Sequence, residues 1–383
     1  MATFGNPGQS SGTVAQRLLR VNWLLLGLVS LISGIGVATL YSVAGGSFAP
    51  WADKHTMRLL IGIGIIVAMA VVPLRLWLAL AYPAYFLALG LLVLVPLLGV
   101  DVLGARRWIR VGEFSIQPSE LMKVALVCAI ARYYQWLPEE RISHPFWVAL
   151  PALAIAAPVA LVLKQPDLGT AVLFAAVGFG LMFLAGVSTL YYAGGAVAIV
   201  ALAPVLWGRL HDYQRRRILT FLDPERDPLG AGYHISQSKI AFGSGGIAGK
   251  GYLQGTQGRL NFLPEKQTDF IFTMLAEEAG FIGAVTLVVL YGLLIALLMV
   301  MAVSCRNQFA RLLVAGPALA VFIYAAVNMA MVMGLVPVVG VPLPLVSYGG
   351  TAMMTILIGL GLAMCGYVNR HDRIRREDVG PLF

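Results

Sequence analysis

About ten apolar runs, each long enough to cross a hydrocarbon layer, recur along this chain with short connections between them. A bilayer core of about 30 Å needs roughly 20 residues at about 1.5 Å of helical rise each. The runs fall near residues 21–44, 57–72, 76–99, 119–134, 146–163, 169–185, 190–207, 270–300, 310–336 and 351–368. Hydrocarbon offers no water to backbone N–H and C=O groups, so runs of this length fold as helices that satisfy those groups internally. With 59% hydrophobic and 12% charged residues and a mean hydropathy of +0.83, the chain has too little polar surface for a soluble protein. The expected fold is an all-α polytopic integral membrane protein of one domain, 21–368. A cytoplasmic N-terminal tail, 1–20, and a cytoplasmic basic C-terminal tail, 369–383, flank it.

The first run is too long for the apolar stretch of a signal peptide and lacks a small-residue cleavage site, so it stays as a membrane helix. Cys128, Cys305 and Cys365 fall in or at the end of apolar runs with no CxxC spacing, which reads as three inert thiols. An even number of spans puts both termini on one side. Arg17, Arg20, Arg370, Arg373, Arg375 and Arg376 mark that side as cytoplasmic. On this orientation 11 Lys and Arg lie inside and 15 outside, but nine of the latter sit in one long loop, 208–268, which the charge rule weights little. Among the outer basic residues that remain, Arg106, Arg107 and Arg110 in GARRWIRVGEFSIQPSE are the densest group.

The border between that loop and the eighth span reads LPEKQTDFIFTMLAEEAG, 263–280, with Asp269 where polar chain meets hydrocarbon. A carboxylate there is costly in lipid and reads as functional, although Thr268 or Asp269 also suits a helix N-cap. The two roles can coexist. In SELMK, Glu120 and Lys123 lie three apart on one helical face near the outer end of the fourth span, where a buried charge needs a partner. QPDLGT places Asp167 in a tight turn favoured by Pro166 and Gly169, in a position that also suits a helix cap. His55, His144, His211, His234 and His371 show no metal-ligand spacing, so no metal site is expected.

The long loop carries the basic run Arg215, Arg216, Arg217 and a glycine-dense stretch, 243–258, whose backbone suits close approach to a phosphate. It is no nucleotide fingerprint, because Ser244 and Gly251 stand where a P-loop needs Gly and Ser or Thr around Gly249 and Lys250. About sixty residues of structureless chain would be unusual, which favours a lid or partly folded cap, with HDYQRRRIL as an interfacial amphipathic helix. Between the last two spans, Pro337, Pro342 and Pro344 sit among apolar residues and are followed by Ser347, Tyr348, Gly349 and Gly350. This pattern suits a rigid re-entrant turn against other helices, shaping a groove.

Taken together, GARRWI with FSIQPSELMK, KQPDLGTA, HDYQRRR with DPLGAGYHISQSKIAFGSGGIAGKG, LPEKQTDFIFTMLAEE and PVVGVPLPLVSYGG resemble the SEDS family (shape, elongation, division and sporulation). The resemblance covers about 18–369 and is closer to the elongation branch than to the division branch. It implies a glycosyltransferase that polymerises lipid II, the undecaprenyl-diphosphate disaccharide-pentapeptide, on the outer face of the bacterial cytoplasmic membrane. It also implies a class B penicillin-binding transpeptidase and other elongation-complex membrane proteins as partners, and no nucleic acid. By the same resemblance Asp269 matches the family's essential aspartate, and Glu120 and Lys123 its paired acid and base. Gln267 departs from the family, where many elongation-branch members carry histidine.

Attack of a sugar hydroxyl on a diphosphate-activated anomeric carbon needs a base for the hydroxyl and cations for the leaving diphosphate. Asp269 suits the first role. Arg106, Arg107, Arg110, Lys123, Arg215, Arg216, Arg217 and Lys250 are candidates for the second, with Asp167 and Ser347 in support. No cofactor is required on this reading, and a divalent cation is compatible with it. The rival readings are a lipid-linked sugar flippase and a non-catalytic scaffold. A carrier needs polarity at the midplane and beyond, whereas Glu120, Lys123, Asp269, Glu277 and Glu278 all map to the outer half of their helices.

Overall fold

A computed structural model of the chain describes residues 13–374, apart from 103, 104, 113, 211, 224–229, 261, 262 and 264. Each expected span falls on a helix. After the short α1 (Val14–Leu19) come α2 (Trp23–Val43), α3 (Ala52–Ala70) and α4 (Leu74–Leu98). Next are α5 (Pro118–Trp136), α6 (Pro145–Lys164), α7 (Leu168–Leu184) and α8 (Thr189–Arg209). By length and composition α2, α4 and α6 can cross a membrane, as can three later helices, while α7 and α8 are shorter apolar helices. Charges at Asp53, Lys54 and Arg58 in α3, and at Glu120, Lys123 and Arg132 in α5, set those two apart. Polar side chains start several helices. Asn22 and Asp167 accept backbone N–H groups of Leu25 and Thr170 at the N-termini of α2 and α7.

The long loop is folded. It forms α9 (Asp212–Leu222), which includes the basic run, then α10 (Ala231–Gly245) and the single turn α11 (Thr256–Arg259). The remaining spans are α12 (Ile271–Val303), α13 (Gln308–Val332) and α14 (Gly350–Val368), all long and apolar enough to cross a membrane. Arg375 and Arg376, expected to mark the cytoplasmic side, lie outside the described residues, as do residues 1–12.

The expected all-α architecture carries one addition. Between α4 and α5, β1 (Gly99–Val102), β2 (Ala105–Val111) and β3 (Phe114–Ile116) form an antiparallel meander in the order β1-β2-β3. Residues 107 and 109 share one face of β2, as the two-residue period of a strand requires. Ile109 is buried there and Arg107 reaches the α6–α7 turn. RWIRV lacks strict strand alternation, since Trp108 and Ile109 are adjacent apolar residues, so between two spans it passes for a polar loop.

At the centre of the bundle α13 touches α5, α7, α12 and α14, and α14 packs along α3. Small residues bring the backbones together, as expected where lipid removes the hydrophobic drive between helices. A Cβ at Gly316 of α13 would stand 2.4 Å from the Val127 side chain of α5, and one at Gly62 of α3 would stand 2.2 Å from Leu357 of α14. The segment 337–349 runs as irregular chain inside this framework, with Val341, Leu343, Leu345, Val346 and Ser347 buried. Irregular chain packed against other helices is what its prolines imply.

Candidate functional site

Asp269 lies one residue short of the α12 N-cap, Phe270, which makes no side-chain cap, so the capping role open to Asp269 and Thr268 is not realised. The carboxylate sits instead on a tight turn of residues 265–270. Glu265 there adopts φ +53°, and its carbonyl accepts the N–H of Thr268 at 3.0 Å. The apolar segment 337–349 fixes this turn from the other side. Ser347 Oγ donates to the Thr268 carbonyl at 2.6 Å, and the Tyr348 N–H donates to the Gln267 carbonyl at 2.8 Å. Asn328 of α13 donates to the Asp269 carbonyl at 2.9 Å and to the Val341 carbonyl at 2.6 Å. With its backbone held at three successive residues, the Asp269 side chain has a fixed origin. Burial first, then the nearby Glu265 carboxylate, push its pKa up to about 6, with Arg217 opposing.

Gly340 brings this carboxylate to a cavity, since a Cβ at that residue would stand 3.5 Å from Asp269 Oδ2. The cavity, of about 220 Å³, is lined by Gly340 together with Arg107, Glu120, Lys123, Asp167 and Arg217. Its charged lining comes from β2, α5, the α6–α7 turn and α9, and α7, α13, α14 and the 337–349 segment complete it. Lys123 Nζ donates to Glu120 Oε1 at 2.6 Å and lies 5.0 Å from the Tyr324 ring centroid. Glu120 Oε2 is buried with no hydrogen-bond partner among the described residues, which leaves one strong acceptor beside the cavity. Arg107 donates to the carbonyls of Gln165 at 3.2 Å and Pro166 at 2.6 Å, and its guanidinium lies 3.6 Å from Asp167. Asp167 also caps α7, accepting from Thr170 N at 3.1 Å and Thr170 Oγ1 at 3.0 Å, so the capping and cavity roles coincide in one residue. A polar, cation-bearing cavity with a buried-edge carboxylate can hold an anion and take up a proton beside it.

The other basic candidates lie apart from this cavity or in other roles. Arg215 donates to the carbonyls of Trp207 at 3.1 Å and Gly208 at 2.8 Å, closing the C-terminus of α8. Arg216 is exposed on α9, as are Arg106 and Arg110 on β2. Lys250 forms a 2.6 Å ion pair with Glu277 of α12, which is fully buried and also accepts from Thr256 N at 2.9 Å.

The glycine-dense stretch lies against a kink in α12 rather than around an open anion site. At Gly280, φ +66° breaks the helix, and the N–H groups of Lys250 and Gly251 donate to the carbonyls of Glu277 and Glu278 at 3.0 Å each. A Cβ at Gly249 would stand 2.0 Å from the Glu278 carbonyl oxygen, so only glycine admits this approach.

Asn328, Tyr324 and Gly340 escaped sequence reasoning. Asn328 had a signal, because an amide in the middle of an apolar run is costly in lipid unless it bonds across helices. Gly340 had none beyond being one glycine among 42. Among the described residues no group of three or more His, Cys, Asp or Glu side chains comes together to hold a metal ion.

Comparison with known proteins places this geometry in context. The cell cycle protein family of FtsW, RodA and SpoVE matches residues 15–372. The peptidoglycan glycosyltransferase MrdB of Escherichia coli K12 is 43% identical over 330 residues, spanning 85% of this chain and 88% of that protein. A probable peptidoglycan glycosyltransferase FtsW of Trichlorobacter lovleyi is 37% identical over 365 residues, 91% of this chain and 93% of that protein. The crystal structure of the rod shape determining protein RodA of Thermus thermophilus superposes with a TM-score of 0.70 at 30% identity, covering 92% of this chain and 98% of that one. A chain of a peptidoglycan synthase complex that coordinates polymerization and crosslinking superposes with a TM-score of 0.80 at 34% identity, covering 92% and 99%.

Proposed function

The chain belongs to the cell cycle protein family of FtsW, RodA and SpoVE, and we propose that it is a multi-pass membrane glycosyltransferase that polymerises lipid II into peptidoglycan strands during elongation. The observation that carries this reading is the convergence of Arg217 and the Glu120–Lys123 and Arg107–Asp167 pairs around one cavity, with the Asp269 carboxylate beside its Gly340 wall. Relatives named peptidoglycan glycosyltransferase support the reaction class.

In the reaction the acceptor sugar hydroxyl loses its proton to Asp269 as its oxygen bonds to the anomeric carbon of the donor. The carbon–oxygen bond to the diphosphate breaks, and undecaprenyl diphosphate leaves with both electrons. Arg217, Lys123 and Arg107 are placed to neutralise that diphosphate as its charge grows. Lipid II carries an α-linked donor sugar and the glycan is β-linked, so one inversion and one base suffice. A base with a pKa of about 6 is ionised at neutral pH and still accepts a proton in the transition state.

The cavity opens to the outer face of the cytoplasmic membrane in this reading, with both termini cytoplasmic, which agrees with the basic residues at the ends of the chain. The complex of the structural relative coordinates polymerization and crosslinking. That supports a crosslinking partner, here a class B penicillin-binding transpeptidase, within an elongation complex. In this reading Arg107, Lys123 and Arg217 would face the diphosphate and no cofactor is invoked, which the divalent-cation arm below tests. Purified protein given lipid II, with and without the transpeptidase and with and without added divalent cation, is expected to yield glycan strands. Failure to polymerise in every arm, with lipid II bound or moved across the bilayer instead, would overturn the enzymatic reading.

A further inference from the structure

The segment that pins the Asp269 turn is itself shaped by a side chain from a helix that contributes nothing to the cavity. Leu345 adopts φ +64°, a left-handed conformation that L side chains avoid. Just beyond it, Ser347 Oγ and the Tyr348 N–H engage the carbonyls of Thr268 and Gln267. A residue in that conformation persists only where its surroundings over-determine it. Here α3 supplies part of those surroundings. His55 Nε2 lies 3.1 Å from the Leu345 carbonyl oxygen, and the Arg58 guanidinium stacks 4.9 Å from the Tyr348 ring centroid.

His55 is fully buried, and the carbonyl partner puts the ring hydrogen on Nε2. Its Nδ1 then has no hydrogen-bond partner among the described residues. A buried imidazole with one nitrogen unsatisfied costs folding stability; an apolar residue of similar size would remove that cost but leave the buried Leu345 carbonyl without its donor. The single thing such a residue cannot do is donate to Leu345. Gly36 of α2 packs against the same turn, since a Cβ there would stand 2.8 Å from Val346 Cα. On the other side of Leu345 the Tyr291 hydroxyl of α12 donates to the Pro344 carbonyl, and the Val346 and Ser347 N–H groups donate to the Leu343 carbonyl, so within this bonded turn His55 supplies the bond to the Leu345 carbonyl itself.

We propose that His55 is a positioning residue for the transfer reaction: its bond to the Leu345 carbonyl holds the left-handed turn that presents Ser347 and Tyr348 to the backbone of the Asp269 turn. His55 touches neither substrate nor the reacting atoms in this role. The inference rests on Asp269 as the base in lipid II polymerisation, and half of its test reads the turn without any turnover.

The test compares wild type with His55→Leu, which removes the donor, and His55→Gln, whose amide nitrogen can replace Nε2. Hydrogen exchange of the peptide covering 265–270 and steady-state polymerisation of lipid II are measured on each. His55→Leu is expected to lower kcat roughly 10²-fold, as a shift of about 1 Å in a catalytic group can. KM for lipid II stays within about twofold, because ground-state binding is untouched. Exchange at 265–270 accelerates in His55→Leu, its thermal midpoint changes little because relief of the orphaned Nδ1 offsets the orphaned Leu345 carbonyl, and His55→Gln restores both rate and protection. Unchanged exchange at 265–270 in His55→Leu overturns the proposal. So does a loss of activity that only follows loss of folded protein, with no recovery in His55→Gln. Should the wild type make no glycan at all, the glycosyltransferase reading falls, and the exchange comparison still decides whether His55 holds the turn.

Discussion

Lys123 Nζ stands 2.6 Å from Glu120 Oε1, one helical turn away on α5, with both side chains almost wholly removed from solvent. At that depth each charge depends on the other, and removing one leaves its partner buried and unpaired at a cost of roughly 3–5 kcal/mol. Glu120→Gln and Lys123→Met are each expected to lower thermal stability and polymerisation strongly, and the double variant less than the sum. A double-mutant cycle on thermal midpoints and initial rates measures the coupling. Additive losses would mean that the pair does not act as a unit.

Asp269→Asn is expected to lower polymerisation ~10²- to 10⁴-fold or more, the loss that follows removal of a positioned base. The same substitution has an opposite effect on stability. The carboxyl pKa is raised from 3.8 to about 6 by burial and by Glu265, so the folded state holds its proton more tightly than the unfolded chain does. Its contribution to stability is complete below about pH 4 and is lost as pH rises through about 6. Asn removes that penalty, so Asp269→Asn should melt at or above the wild-type midpoint at pH 8. The wild-type rate should fall as pH drops through about 6, where the base takes up its proton. Thermal scans and pH–rate profiles at saturating lipid II check both signs.

The sequence shows the helices and the border aspartate because lipid makes them costly to disguise. A run of some twenty apolar residues has few folds open to it, and Asp269, Glu120 and Lys123 stand out against hydrocarbon. What it hides are relations between segments far apart in the chain. That Gly340 lies against Asp269, and that Asn328 bonds its carbonyl, depends on how α12, α13 and the irregular 337–349 segment pack together. Lys250 and Arg217 look alike in sequence as basic residues of one polar loop. Only the fold separates the first, paired with Glu277, from the second, which lines the cavity. The β1–β3 meander was hidden for another reason, since its strands are short and strand alternation in a polar loop is a weak pattern.

Lys250 serves the architecture of α12 on this geometry, and its loss should show that. Lys250→Met leaves the Glu277 carboxylate buried with only the Thr256 and Gln257 donors. It is expected to cost roughly 3 kcal/mol of stability, the low end for breaking a buried pair. KM for lipid II should stay unchanged in the protein that remains folded. Glu277→Gln, which keeps an acceptor for Thr256, should be milder alone and should rescue Lys250→Met. A raised KM in Lys250→Met with an unchanged thermal midpoint would return this lysine to the substrate site.

The arginines of α9 provide the sharpest contrast, because three consecutive residues have three environments. Arg217 lines the cavity and acts electrostatically on Asp269, Arg215 closes the end of α8 through Trp207 and Gly208, and Arg216 is exposed. Arg217→Gln should therefore raise KM for lipid II about tenfold, a loss of the size of one charge-assisted hydrogen bond. It should also move the acid limb of the pH–rate profile upward, since a positive charge that held the Asp269 pKa down is gone. Arg215→Gln should lower thermal stability with little change in KM, and Arg216→Gln should do neither. Added salt should depress the wild type more than Arg217→Gln, because screening removes what the substitution has already removed. Attraction of these arginines to anionic headgroups would instead weaken all three variants alike, by about 1 kcal/mol for each charge near the surface. Titrating lipid II in neutral detergent, with no anionic lipid present, separates the two. Equal affinity in the three variants and the wild type would remove Arg217 from the diphosphate site.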